Sequence, residues 1–163
     1  MRTFFLALRA LTYMIAFVLL FGWIALGVRA YDHRFGIVLP ASLQSFALVL
    51  MALGGMLVMA CGAVFVITGR GTPAPFDPPR EFVALGPYRY VRNPIYIGGF
   101  VLIMGFGLYQ RSVAILLLSL LLLFLTHPLV VYVEEPQLEK RFARTYLEYK
   151  NAVNRWIPRR IKT

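Results

Sequence analysis

Uncharged, strongly apolar positions fall in four blocks along the chain. Ala10 to Val28 is the first, and Gly36 to Gly69 is the second, best between Ser42 and Thr68. Asn93 to Gln110 and Ser112 to Val133 are the third and fourth. Each has about the length, roughly 20 residues, that an α-helix needs to cross a bilayer core. The pattern predicts an all-α polytopic membrane protein with about four transmembrane helices, spanning 10–28, 42–68, 93–110 and 112–133. A soluble protein would need amphipathic partners to cover these helices, and the chain has none to spare. The first block follows Arg2 and Arg9 like a signal sequence. Its length and the weak cleavage site Val28-Arg29-Ala30 point instead to a retained span.

Between the last two blocks lies little more than Gln110-Arg111-Ser112. So short a connection predicts an antiparallel hairpin. The third block carries Gly98, Gly99, Gly105 and Gly107, small residues that let a helix or a ligand approach closely. Helix packing is the simpler reading for Gly105 and Gly107.

Two segments break the apolar pattern. Gly69 to Arg92 holds Pro73, Pro75, Pro78, Pro79 and Pro87, five of the ten prolines. Proline fixes φ and removes a donor, so this is a loop. Its apolar patch Phe82-Val83-Ala84-Leu85 predicts docking onto the protein. After the fourth block, Glu135 precedes Pro136. Residues before proline avoid the α region, so the span is expected to end or kink near Glu134-Glu135. Pro136 suits the first turn of a new helix. Leu138, Phe142, Tyr146, Tyr149 and Val153 then recur at i, i+4, i+8, i+11 and i+15, one apolar stripe. Lys140, Arg141, Arg144, Glu148 and Lys150 fall on other faces. The expectation is an interfacial amphipathic helix and tail over 136–163, with Trp156 at the interface and Arg159, Arg160 and Lys162 on lipid phosphates.

Composition supports one membrane domain over 1–163. Hydrophobic residues make up 60% of the 163, and mean hydropathy is +0.70. Net charge is +10. Because the bases flank apolar runs, anionic membrane lipids are the expected partner and nucleic acid is not. Cys61 is the only cysteine, so neither an internal disulfide nor a cysteine-rich metal site is expected. Fourteen of the 17 Lys and Arg lie in the N-terminus, the 69–92 loop and the C-terminal tail. The other two connections carry Arg29, Arg34 and Arg111. The positive-inside rule then puts both termini and the long loop in the cytoplasm, of a bacterial inner membrane.

Candidate chemistry gathers on that side. Glu134 and Glu135 end the fourth span, with no lysine or arginine in the 22 residues before them. They are either a hydrated helix end or a site that holds a cation or positions a polar group. His127 lies seven residues earlier on the same helix face as Glu134 and is either catalytic or a packed neutral histidine. In "GPYRYVRNPIYIGG", Arg89 and Arg92 are either lipid anchors or ligand contacts. Asn93-Pro94 opens the third span, where free backbone N–H groups and the positive dipole end suit a carboxylate. Tyr88 and Tyr96 either belong to the aromatic belt of the interface or stack on a flat ring and donate a hydroxyl. A donor-rich helix start, aromatic faces and a carboxylate pair suit a ligand with an aromatic ring, an amine and a carboxylate. S-adenosyl-L-methionine is such a ligand. No Gly-rich dinucleotide motif, phosphate loop, zinc-protease helix or nucleophile elbow occurs.

The runs "GTPAPFDPPREFVALGPYRYVRNPIYIG" and "EEPQLEKRFARTYLEYKNAVNRWIP" resemble the isoprenylcysteine carboxyl methyltransferase-like and phospholipid methyltransferase superfamily. The resemblance covers about Gly69 to Pro158. It implies an integral-membrane enzyme using S-adenosyl-L-methionine to methylate a lipid-like or hydrophobic acceptor that enters from the bilayer. It implicates Val83, Tyr88, Asn93, Pro94, Tyr96 and Glu134 in cofactor binding, to which Arg92 is added from its position. Asn93 stands where the family often has histidine, and Ala143 where it usually has glycine. Val130 stands where eukaryotic isoprenylcysteine enzymes carry an arginine implicated with substrate. A carboxylate acceptor needs no base, whereas an amine must lose a proton, which Glu135 or His127 is placed to take. No metal is expected. Related sterol reductases need more spans, and small multidrug transporters need an acid within a span, which these blocks lack. A non-catalytic lipid-binding homologue is the other alternative.

Overall fold

In the computed structural model, residues 2–72, 77 and 79–158 are described. Pro73, Pro75 and Pro78 of the loop, and the tail cations Arg159, Arg160 and Lys162, lie outside them. The regular elements among the described residues are all helical, with no strand.

Helix α1 runs from Arg2 to Arg29, beginning earlier than the apolar block predicts. Its 28 residues rise about 42 Å. It lies loosely against the rest, with Ala10 and Ala25 buried and most of its large side chains exposed, as expected of a face in lipid. Helix α2 spans Leu43–Val64 and widens into a π-helical turn, Phe65–Gly69. Arg70 ends it in the left-handed region, at φ 50° and ψ 37°. Helix α3 spans Pro94–Tyr109 and α4 spans Val113–Leu129. Among the described residues, three helical segments are long and apolar enough to cross a membrane, and α3 is shorter. Its 16 residues rise about 24 Å, less than a typical hydrocarbon core of about 30 Å.

The core of the bundle is the α2–α3 pair, which glycines bring into backbone contact. A Cβ on Gly54 would stand 2.6 Å from the Leu102 nitrogen and 2.7 Å from the Gly98 oxygen. One on Gly105 would stand 2.9 Å from the Met51 nitrogen. Gly98 and Gly105, seven apart on α3, therefore lie flat against α2, so close approach here serves helix packing. Gly107 packs on α4, while Gly99 faces open space.

The α3–α4 hairpin forms as expected. Arg111 takes φ 55°, the Ser112 N–H donates to the Gly107 carbonyl at 2.9 Å, and the Ser112 hydroxyl caps α4 by accepting from the Ile115 N–H. Asp32, in the turn after α1, accepts from the Ala114 N–H at 2.8 Å, and Arg111 Nε donates to the Leu39 carbonyl at 2.6 Å. These contacts gather residues 30–42 and 110–112 at one end of the bundle. At the other end, Arg9 pairs with Asp77 at 2.9 Å, bringing the start of α1 to the long loop.

The junction after α4 differs from expectation. The helix does not end at Glu134-Glu135. It passes through a π-helical turn, Val130–Glu134, directly into α5, Glu135–Ala152. Pro136 has no N–H for the Tyr132 carbonyl and its ring would clash there; a widened turn accommodates both. The bend falls instead at Ala143, with φ 44° and ψ −120°. The predicted apolar stripe is therefore split between two half-helices. Lys150 bridges them, donating to Glu139 at 2.5 Å.

Candidate active site

The helix ends at the Arg9–Asp77 end enclose a cavity of about 320 Å³. The α2 turn contributes Phe65, the loop Phe82 and Val83, α3 its first residues, and the α4–α5 junction its two carboxylates. The loop is held by aromatic packing. The Phe82 ring lies 5.1 Å from that of Tyr149 and 5.3 Å from that of Phe142, with the Tyr146 ring at 5.9 Å. The Tyr149 hydroxyl donates to the Tyr88 carbonyl at 2.7 Å. Docking of the Phe82-Val83 patch follows from these contacts, and Val83 joins the buried cluster of Cys61 and Tyr88.

The adjacent glutamates point to different surroundings. Glu134 accepts a hydrogen bond from the Tyr96 hydroxyl across the cavity. Among the described residues no lysine or arginine pairs with it. Burial raises its pKa, the neighbouring Glu135 charge raises it further, and the Tyr96 bond offsets only part. Glu135 is buried and surrounded by cations. Arg155 grips it with Nε at 2.7 Å and Nη2 at 3.0 Å. Arg92 Nη1 lies 3.2 Å away and Lys150 Nζ 3.6 Å away. Burial alone would raise the Glu135 pKa; the Arg155 bonds and the charges of Arg92 and Lys150 outweigh it and hold the carboxyl below the usual range.

Of the residues singled out from sequence, Val83, Tyr88, Arg92, Asn93, Tyr96, Glu134 and Glu135 line this cavity. Pro94 is buried beside it in the first turn of α3 and does not line it. The Asn93 amide, rather than bonding the α3 backbone as a cap, donates to the Arg155 carbonyl at 3.3 Å. His127 is not brought to the cavity. It sits on an exposed face of α4, where its Nδ1 accepts from the Trp156 indole N–H at 3.0 Å. The readings missed Arg155 as the main partner of Glu135, and Phe65, Phe142 and Arg141 as cavity walls. A lone basic residue beside Trp156 was the available signal for Arg155.

Chemically, the cavity offers a carboxylate bonded to a phenol and, among the described residues, to no lysine or arginine, together with aromatic walls and the buried Tyr88, whose hydroxyl lies beside the Cys61 thiol. No group of three or more potential metal ligands occurs among the described residues. A search of curated proteins finds no match to the chain. The family model for phospholipid methyltransferases matches residues 43–145, which include α2, the loop, α3, α4 and the first half of α5. That is well over half of the sequence, and it agrees with the resemblance carried by the loop and tail runs. The chain belongs to the phospholipid methyltransferase family.

Proposed function

We propose that the protein is an integral-membrane methyltransferase that takes its methyl group from S-adenosyl-L-methionine and delivers it to a lipid-like acceptor. The observation that carries this reading is Glu134, a cavity carboxylate bonded to Tyr96 and lacking a cationic partner among the described residues. A buried carboxylate in that state favours a cationic ligand. The donor set also fits the proposed cofactor, with aromatic faces at Phe65, Tyr88 and Phe82 for a flat base. When bound, that cofactor supplies a methyl group activated on a sulfonium.

The residues have distinct tasks in this reading. Glu134 and Tyr96 hold a cationic amino group. Val83 and Val130 give the cavity apolar wall that keeps water from the transfer. Glu135 is a positioning residue: saturated by Arg92, Arg155 and Lys150, it fixes the α4–α5 junction from which Glu134 projects. It is thus a poor proton acceptor, and His127, bonded to Trp156 outside the cavity, takes no part in the transfer. Methyl transfer needs alignment of donor and acceptor more than acid–base help, which suits a site built this way.

The test is transfer of a labelled methyl group from S-adenosyl-L-methionine to lipid extracts by the protein in nanodiscs. Labelled lipid is expected with the intact protein and at least tenfold less with Glu134→Gln, since a hydrogen bond to a charged group contributes about 1.5–3 kcal/mol. Equal transfer by both would overturn the role of Glu134, and no transfer to any lipid would overturn the reading.

A further inference from the structure

A second concavity, of about 330 Å³, lies behind the active-site wall and shares only Arg92 with the first. The turn after α5 forms it. Arg92, Lys150 and Arg155 line it, and Trp156 and Ile157 stand at its lip. The turn is fixed by backbone and side chain alike. The Arg92 N–H donates to the Asn154 carbonyl at 2.9 Å, and Asn93 holds the Arg155 carbonyl.

The charge here is not balanced. Three cations share the single buried carboxylate Glu135, and Lys150 alone has a second partner, Glu139. The Arg92 side chain is only 9% exposed, with Nη1 3.2 Å from Glu135 and the Tyr146 hydroxyl as a second neighbour, while its Nε meets no acceptor. One carboxylate shared by three cations leaves positive charge over, and an anion in the groove would give Lys150 and Arg155 a further charge-assisted partner. The lip of the groove is apolar and exposed. Trp156 bonds His127 on the exposed face of α4, about 10 Å from Glu134 toward the apolar run. Ile157 is 74% exposed. A tryptophan and an isoleucine beside three cations form an interfacial arrangement, apolar toward the acyl region and basic toward the headgroups.

The geometry points to this groove as a binding site for the phosphate of an anionic phospholipid, separate from the methyl-transfer cavity and joined to it through Arg92 and Glu135. The lipid is a resident of the groove, not the methyl acceptor. Its phosphate meets Lys150 and Arg155, and the Trp156 ring lies against its glycerol and upper acyl region.

Trp23 and Trp156 are the only tryptophans, so Trp23→Phe protein reports on the groove through Trp156 emission. The protein is placed in nanodiscs of zwitterionic lipid with rising fractions of phosphatidylglycerol, and separately in zwitterionic discs titrated with inorganic phosphate. The emission is expected to shift and saturate with phosphatidylglycerol. Lys150→Gln and Arg155→Gln should each raise the half-saturating fraction about fivefold, the weight of one basic side chain at an anionic surface. Arg144→Gln, outside the groove and paired with Glu148, should leave it unchanged. If Arg155→Gln unfolds through loss of its Glu135 contact, Lys150→Gln carries the test. Glu134→Ala should keep the lipid response, so a failed groove and a failed methyltransferase reading give different results. A response that never saturates, an equal effect of Arg144→Gln, or saturation by inorganic phosphate without a lipid response would each overturn the assignment.

Discussion

Glu134 and Glu135 are neighbours in sequence with opposite surroundings. One is bonded to a phenol and, among the described residues, pairs with no cation, and the other is gripped by Arg92, Lys150 and Arg155. A folded pKa held below the ordinary glutamate value of about 4.3 means that Glu135 stabilises the fold above that pH. That stabilisation is lost as pH falls through the lower folded value. Thermal unfolding in detergent should therefore show stability dropping below about pH 4. Glu135→Gln should be less stable at pH 7 and converge on the unaltered protein in acid. Parallel pH profiles for the two would contradict this. The sequence marked the pair as chemically important but gave no means of dividing it. The partners of Glu135 come from 15 to 43 residues away, and only the fold brings them together.

At the scale of elements, apolar blocks and the tight turn at Gln110-Arg111-Ser112 were legible because lipid demands long uncharged runs and a short connection permits only a hairpin. Helix continuity was not. Proline at 136 signals a break, yet a π-helical turn absorbs it, and such a turn leaves no signature in residue type. The actual bend at Ala143 had a signal in the glycine expected there by family resemblance. Ala143 occupies φ 44° and ψ −120°, where a Cβ is strained by about 1–3 kcal/mol. Ala143→Gly should therefore stabilise the protein by about 1 kcal/mol after the entropy cost of glycine, the reverse of its usual effect in a helix. A rise in Tm would be the readout, and a fall would show the backbone there to be ordinary helix.

For the whole molecule, the contacts sort the connections into two ends. Residues 30–42 meet 110–112 at one, and the N-terminus, the long loop and α5 meet at the other. Arg9, Arg92, Lys150 and Arg155 lie toward the second end. Its assignment to the cytoplasm is a prediction from charge. Cys61 is buried, so single cysteines introduced elsewhere report on sidedness. In intact bacterial spheroplasts, His33→Cys should react with a membrane-impermeant maleimide and Arg89→Cys should react only after lysis. The opposite pattern would invert the topology. The cavity itself was legible as a list of residues but not as a space. Its walls at Phe65, Phe82 and Phe142 come from three separate elements, and aromatic residues near a membrane are also common as interface anchors.

In the proposed function, this cavity holds S-adenosyl-L-methionine through Glu134 and Tyr96. Calorimetric titration of the detergent-purified protein with S-adenosyl-L-methionine tests it most directly. One saturable site is expected in the intact protein, with affinity reduced at least tenfold by Glu134→Ala and several-fold by Tyr96→Phe. Absence of binding by the intact, folded protein, or equal binding by all three, would contradict it.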